Sequence, residues 1–84
     1  MLEILYFAWV KDRMGKSQES IPLPQGVTTV TTLATWLRSR DPQGAQAFID
    51  PASIRAAVNQ DFAPPDTLIH DGDEVAFFPP VTGG

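Results

Sequence analysis

The chain closes on Phe78-Pro79-Pro80-Val81-Thr82-Gly83-Gly84, and these are the residues whose types best suit chemistry. Gly83 and Gly84 have no Cβ, so such a tip enters a narrow slot and takes any backbone conformation. An α-carboxylate on Gly84, with an ordinary pKa of about 3.5, is ionised near neutrality and sterically open. Those properties suit a carboxylate that another enzyme must activate. Pro79-Pro80 stiffens the exit from whatever precedes it and projects the rest outward. Fully extended, the tail beyond Phe78 reaches about 18–21 Å. A Gly-Gly pair alone is also what a frayed terminus looks like; the diproline and the element order make the difference.

Side chains elsewhere offer little. The sequence has no cysteine and one histidine, which removes disulfides, thiol nucleophiles and cysteine metal sites. His70 sits beside Asp71 and Asp73, too few ligands for a metal centre and better explained as a solvated turn. Asp71-Gly72-Asp73-Glu74 lacks the alternating spacing of a calcium loop. Ser17, Ser20, Ser39 and Ser53 have no histidine near them in sequence, and no glycine-rich phosphate loop occurs. No intrinsic cofactor or metal is expected, nor catalysis by the chain alone. The formal charge is −4, with six scattered basic residues, which disfavours nucleic acid and favours a basic protein partner. Met1–Val10 is apolar but interrupted by Glu3 and not preceded by basic residues, unlike a signal peptide, and no run is long enough to span a membrane. A cytoplasmic protein is expected.

The elements that must position the tail are these. Leu2–Val10 reads as a central strand because it is continuously apolar. Lys11–Lys16 reads as a loop and Ser17–Leu23 as a strand that Pro22 confines to a sheet edge. Val30, Leu33, Ala34 and Leu37 mark a helix, capped by Thr28 or Thr29 and stopped by Pro42. Gln43–Ile49 suggests a short helical turn that Gly44 weakens. Ile54–Asn59 reads as a third strand, Asn59-Gln60-Asp61 and His70–Asp73 as turns, and Glu74–Phe78 as the last strand. This predicts one α+β domain over 1–84, a mixed sheet with one main helix across one face and a flexible tail over 79–84. If the first and last strands pair in parallel at the centre, the fold is a β-grasp.

Leu5-Tyr6-Phe7-Ala8, Ala57-Val58-Asn59-Gln60 and above all the run from Asp71 to Gly84 resemble the small, ubiquitin-like sulfur-carrier subunits of molybdopterin synthase. The resemblance runs essentially end to end. It implies that a ubiquitin-activating-type adenylyltransferase, using ATP and magnesium, joins the Gly84 carboxylate to AMP. Sulfur then replaces AMP to give a thiocarboxylate. The tail inserts into the large synthase subunit and gives sulfur to cyclic pyranopterin monophosphate, within a heterotetramer of two small and two large subunits. The catalytic acids, bases and oxyanion donors would lie in the partners. With no cysteine, such a modified terminus is the chain's route to carrying sulfur.

Phe78, Pro79, Pro80, Val81, Thr82 and Gly83 are the candidate partner contacts along the tail. Phe7 and Trp9 join them if their sides of the strand face outward, the alternative being core packing. Trp36 is expected to be structural, and Arg13, Lys16, Arg38 and Arg55 to be solvated or in rim ion pairs. Three other readings share these features. One is a carrier for thiamine, cysteine or tRNA thiolation. Another is a protein modifier conjugated through Gly84, and the last is an interaction module with an inert tail.

Overall fold

Leu2, Ile4 and Tyr6 are buried while Glu3 is exposed, and this period of two defines strand β1, Leu2–Tyr6. In this computed structural model, which describes residues 1–80, β1 belongs to a five-stranded sheet of order β2-β1-β5-β3-β4. The other strands are β2 (Gln18–Ile21), β3 (Arg55–Val58), β4 (Asp61–Ala63) and β5 (Glu74–Phe78). β1 and β5 run parallel, from Glu3 beside Glu74 to Tyr6 beside Phe77, and every other pairing is antiparallel. The sheet is therefore mixed, with first and last strands paired in parallel, as a β-grasp requires.

The main helix, α2, spans Val30–Arg40 and buries Val30, Leu33 and Leu37. They join Leu2, Ile4, Tyr6, Val75 and Phe77 from the sheet in one core. Thr29 caps the helix through a reciprocal pair with Thr32. Further first-turn donors are taken by the 65–67 segment: the Val30 N–H donates to Thr67 O and the Thr31 N–H to Pro65 O. Asp41 ends α2 and its carboxylate accepts the Gly44 N–H at 2.7 Å, starting a second helix, α3, at Pro42–Ala47.

Two expectations need correction. The apolar run does not continue as strand to Val10. It stops at Tyr6, and Ala8–Met14 form helix α1, covering most of the expected polar loop. Ala8 has φ +52°, a left-handed conformation that turns the chain out of the sheet. Val10 and Met14, four residues apart, then bury one helical stripe. Gly15, at φ +75°, closes the helix by donating its N–H to Lys11 O. Asp61 also proves to begin a strand: Asn59 and Gln60, at φ +51° and +73°, make the two-residue turn between β3 and β4. The edge position of β2, ending before Pro22, agrees with the sequence.

A polar latch ties edge strand β2 to the core and to α2. The Tyr6 hydroxyl donates to Glu19 at 2.6 Å, and Arg40 grips the same carboxylate with two N–H donors, both at 2.8 Å. Burial, reinforced by the adjacent Glu19 carboxylate, pushes the Tyr6 phenol well above its usual range. Burial alone would raise Glu19, but hydrogen bonds from Arg40 and Tyr6 outweigh it and hold the carboxyl below its ordinary value of 4.5. A carboxyl depressed in the folded state stabilises above its unfolded pKa, and the gain is lost as pH falls through the folded value. Glu19→Gln is therefore expected to cost about 2 kcal/mol at neutral pH. The gap between variant and parent should close as denaturant melts move below pH 4.5. A gap independent of pH would contradict this account.

Candidate functional site

Val75 and Phe77 point from β5 into the core, so Ala76 and Phe78 lie on the opposite side of the sheet. The strand register extends that side into a row. Leu5 lies beside Ala76, Ala76 beside Ala57, and Ala57 beside Phe62. Phe62 is 68% exposed. The row thus presents Leu5, two alanines and a large aromatic on the face turned away from the buried set.

The next row lies where the chain leaves the sheet. The Phe7 N–H donates to Phe77 O at 3.1 Å, which extends the parallel ladder past β1 and seats Phe7 next to Phe78. Phe7 is 48% exposed, and Arg55 lies opposite Phe78 on β3. Pro79 is half-buried and Pro80 exposed. Beneath this exit Phe77 is clamped edge-to-face by Phe48 at 5.0 Å and flanked by Tyr6 at 6.5 Å, so β5 leaves the core from a fixed base.

Of the sequence-based candidates, the structure brings Phe7, Phe78, Pro79 and Pro80 to one end of the sheet. Val81, Thr82, Gly83 and Gly84 lie outside the described residues. Trp9 does not join the face: it packs against the core with the Arg13 guanidinium 4.4 Å above its ring. Trp36 is packed against the core as expected and carries Arg40 at 5.2 Å. Lys16 pairs with Glu19 at 3.7 Å. Among the described residues, Arg13, Arg38 and Arg55 make no ion pair, and the strong pairing is by Arg40, which sequence reasoning did not single out. Phe62 and Leu5 were also missed. The signal for Phe62 was Asn59-Gln60, which as a hairpin turn sets it across from Ala57. That turn is fastened by the Asn59 side chain, which accepts the Glu74 N–H and donates to Asp73, both at 3.0 Å. Among the described residues, no group of three or more His, Cys, Asp or Glu side chains is placed to hold a metal ion, and no helix is long and apolar enough to cross a membrane.

Compared with known proteins, residues 4–84 match the family model of the ThiS family. The chain belongs to the ThiS family. A relative of this ThiS-family chain in Escherichia coli (strain K12), described as a molybdopterin synthase sulfur carrier subunit, is 38% identical over 84 residues, which span 100% of both chains. A solved Pyrococcus furiosus chain, described as molybdopterin converting factor subunit 1, superimposes with a TM-score of 0.75 at 29% identity, covering 95% of this chain and 97% of that one. A Helicobacter pylori structure, a protein–protein complex of subunits 1 and 2 of molybdopterin-converting factor, matches with a TM-score of 0.62 at 21% identity. It covers 99% of this chain and 97% of that one, and at that identity it speaks for the fold alone. The ubiquitin-like β-grasp and the family resemblance read from the closing run thus both hold.

Proposed function

We propose that this chain is the sulfur-carrier subunit of molybdopterin synthase, working through Gly84. The observation that carries the reading is the full-length match to the E. coli sulfur carrier subunit. The geometry supports it: β5, anchored through Phe77, delivers Pro79-Pro80 to the sheet end beside an exposed apolar face.

In this reading the Gly84 carboxylate attacks the α-phosphorus of ATP in an adenylyltransferase, with the magnesium that ATP carries, and pyrophosphate leaves. The acyl carbon then has AMP as leaving group, and a sulfide-level sulfur nucleophile displaces it to form the thiocarboxylate, releasing AMP. The chain needs no side-chain acid or base for either step, because the enzyme that binds it supplies them. The charged carrier docks on the synthase large subunit and gives sulfur to cyclic pyranopterin monophosphate. Two such deliveries build the dithiolene, in an assembly of two small and two large subunits in the cytoplasm. Phe7, Phe78, Pro79, Pro80, Val81, Thr82 and Gly83 line the tail's path into that partner, and Leu5 and Phe62 extend the contact across the sheet.

Reconstitution tests this reading. The chain, its adenylyltransferase, ATP, a sulfur source and the large subunit should together convert cyclic pyranopterin monophosphate to molybdopterin, and omission of the chain should stop it. No product with competent partners would sink the proposal. Exposed aromatics that anchor interfaces typically contribute 2 kcal/mol or more. Phe62→Asp is accordingly expected to weaken large-subunit binding at least about tenfold, with thermal stability nearly unchanged because the side chain is solvent-exposed. Unchanged affinity in calorimetry would remove Phe62 from the interface.

A further inference from the structure

A cavity of about 360 Å³ opens between α2 and strands β3 and β4, with Phe62 at its β4 edge. Its walls include Ala34 from α2, Phe48 after α3, and Ile54, Ala56 and Phe77 from the sheet side. Arg38 and Arg55 also line it, and no aspartate or glutamate does. This is unusual on a chain of net charge −4 with only six lysines and arginines. Among the described residues, neither guanidinium has a carboxylate partner; Arg55 donates only to the backbone carbonyls of Ala52 and Ile54. An apolar body with one or two charged groups at its edge is the usual make-up of a small-molecule site, and the volume lies within the ~300–1,000 Å³ typical of one.

The geometry points to a binding site for a small amphiphilic monocarboxylate, its hydrocarbon or aryl body in the cavity and its carboxylate received by Arg38 and Arg55. The apolar walls supply the affinity by burying hydrocarbon. The guanidiniums supply the selectivity, because their planar donors match a carboxylate in two-point contact. An acidic protein repels free anions at long range, so a carboxylate binds here only where two local cations offset that field. Arg55 and Phe62 line the cavity and also end the two open-face rows, so the cavity opens at the β4 edge of the sheet. Among the described residues, those lining the cavity lie between Val30 and Phe77, so the proposal stands or falls independently of the chemistry at Gly84.

Octanoate is the probe, with octanol as the uncharged control of equal length. Titration of the ¹⁵N-labelled full chain, followed by amide shifts, should give saturable changes centred on Ala34, Phe48 and Ile54. Changes at Leu5, Ala57 and Ala76 should be small. Octanol should bind about tenfold more weakly. The Arg38→Gln and Arg55→Gln variants, both at exposed side chains, should each lose about threefold and together about tenfold. A chain ending at Pro80 should bind octanoate as the parent does. Non-saturating shifts, shifts centred on the open face, equal binding of octanol, or indifference to both arginine changes would each overturn the proposal. So would a tenfold gain on removing residues 81–84, which would give the cavity to the chain's own end.

Discussion

Removing Gly84, or adding one residue after it, is expected to lower molybdopterin formation in the reconstituted synthase at least about a hundredfold. Each change moves the reacting carboxylate by one residue, about 3.3–3.6 Å along an extended chain. A misplacement of about 1 Å at a reacting centre already costs roughly 10²-fold. Nothing else in the sequence takes over, since it holds no cysteine to carry sulfur by another route. The core, from Leu2 to Phe77, is untouched, so melting temperature and large-subunit affinity should stay near those of the parent. Product formation above about a tenth of the parent rate would contradict a role for the Gly84 carboxylate.

The second large effect concerns stability. Gly44 lies buried inside α3, where alanine would ordinarily gain about 1 kcal/mol from helix propensity. Here a Cβ would fall 1.8 Å from the carbonyl oxygen of Leu37 and 2.8 Å from its carbon. Both atoms are backbone in the last turn of α2, so no flexible side chain can yield. Overpacking of this kind typically costs 1–3 kcal/mol and sometimes more, and a backbone clash belongs at the upper end. Gly44→Ala should therefore be destabilising by about 2–3 kcal/mol net, lowering the melting temperature by roughly 10 °C or more in a domain of this size. A variant as stable as the parent would mean that α2 and α3 are not in the observed contact.

The same glycine shows why parts of the fold were hard to read. In one dimension Gly44 weakens a helix; in three it is what lets α3 lie against α2. α2 was legible because its buried stripe, its threonine cap and Pro42 all agree within one segment. The end of β1 was not. Phe7-Ala8-Trp9-Val10 continues the apolar run without a break, and such a run does not distinguish a covered strand from a buried helix. What separates them is the backbone of Ala8, for which alanine carries no sequence signal. β4 is three residues long and lies between a turn and Pro64-Pro65, too short to show a period.

Long-range partners were equally hidden. Arg40 reaches Glu19 across 21 positions, and the sequence shows only that Arg40 suits a helix C-terminus. The candidate site was legible where it is local, in the run from Phe78 to Gly84 and its family resemblance. Phe7 faces outward, 48% exposed, which meets the condition set for it but does not show the contact itself. Trp9 turns into the core side because α1 rotates it off the strand. The open-face row is built from three strand pairings, and only the register puts Leu5, Ala57, Ala76 and Phe62 side by side.

Intact-mass spectrometry of the purified chain, incubated with its adenylyltransferase, ATP and a sulfur source, shows whether Gly84 takes up sulfur. Exchange of one carboxylate oxygen for sulfur at the activated acyl centre adds about 16 Da. That gain is expected on the full chain, located at Gly84 by fragmentation and absent from the chain lacking Gly84. A full chain of unchanged mass, with partners that charge another carrier of this family, would contradict the role proposed for Gly84.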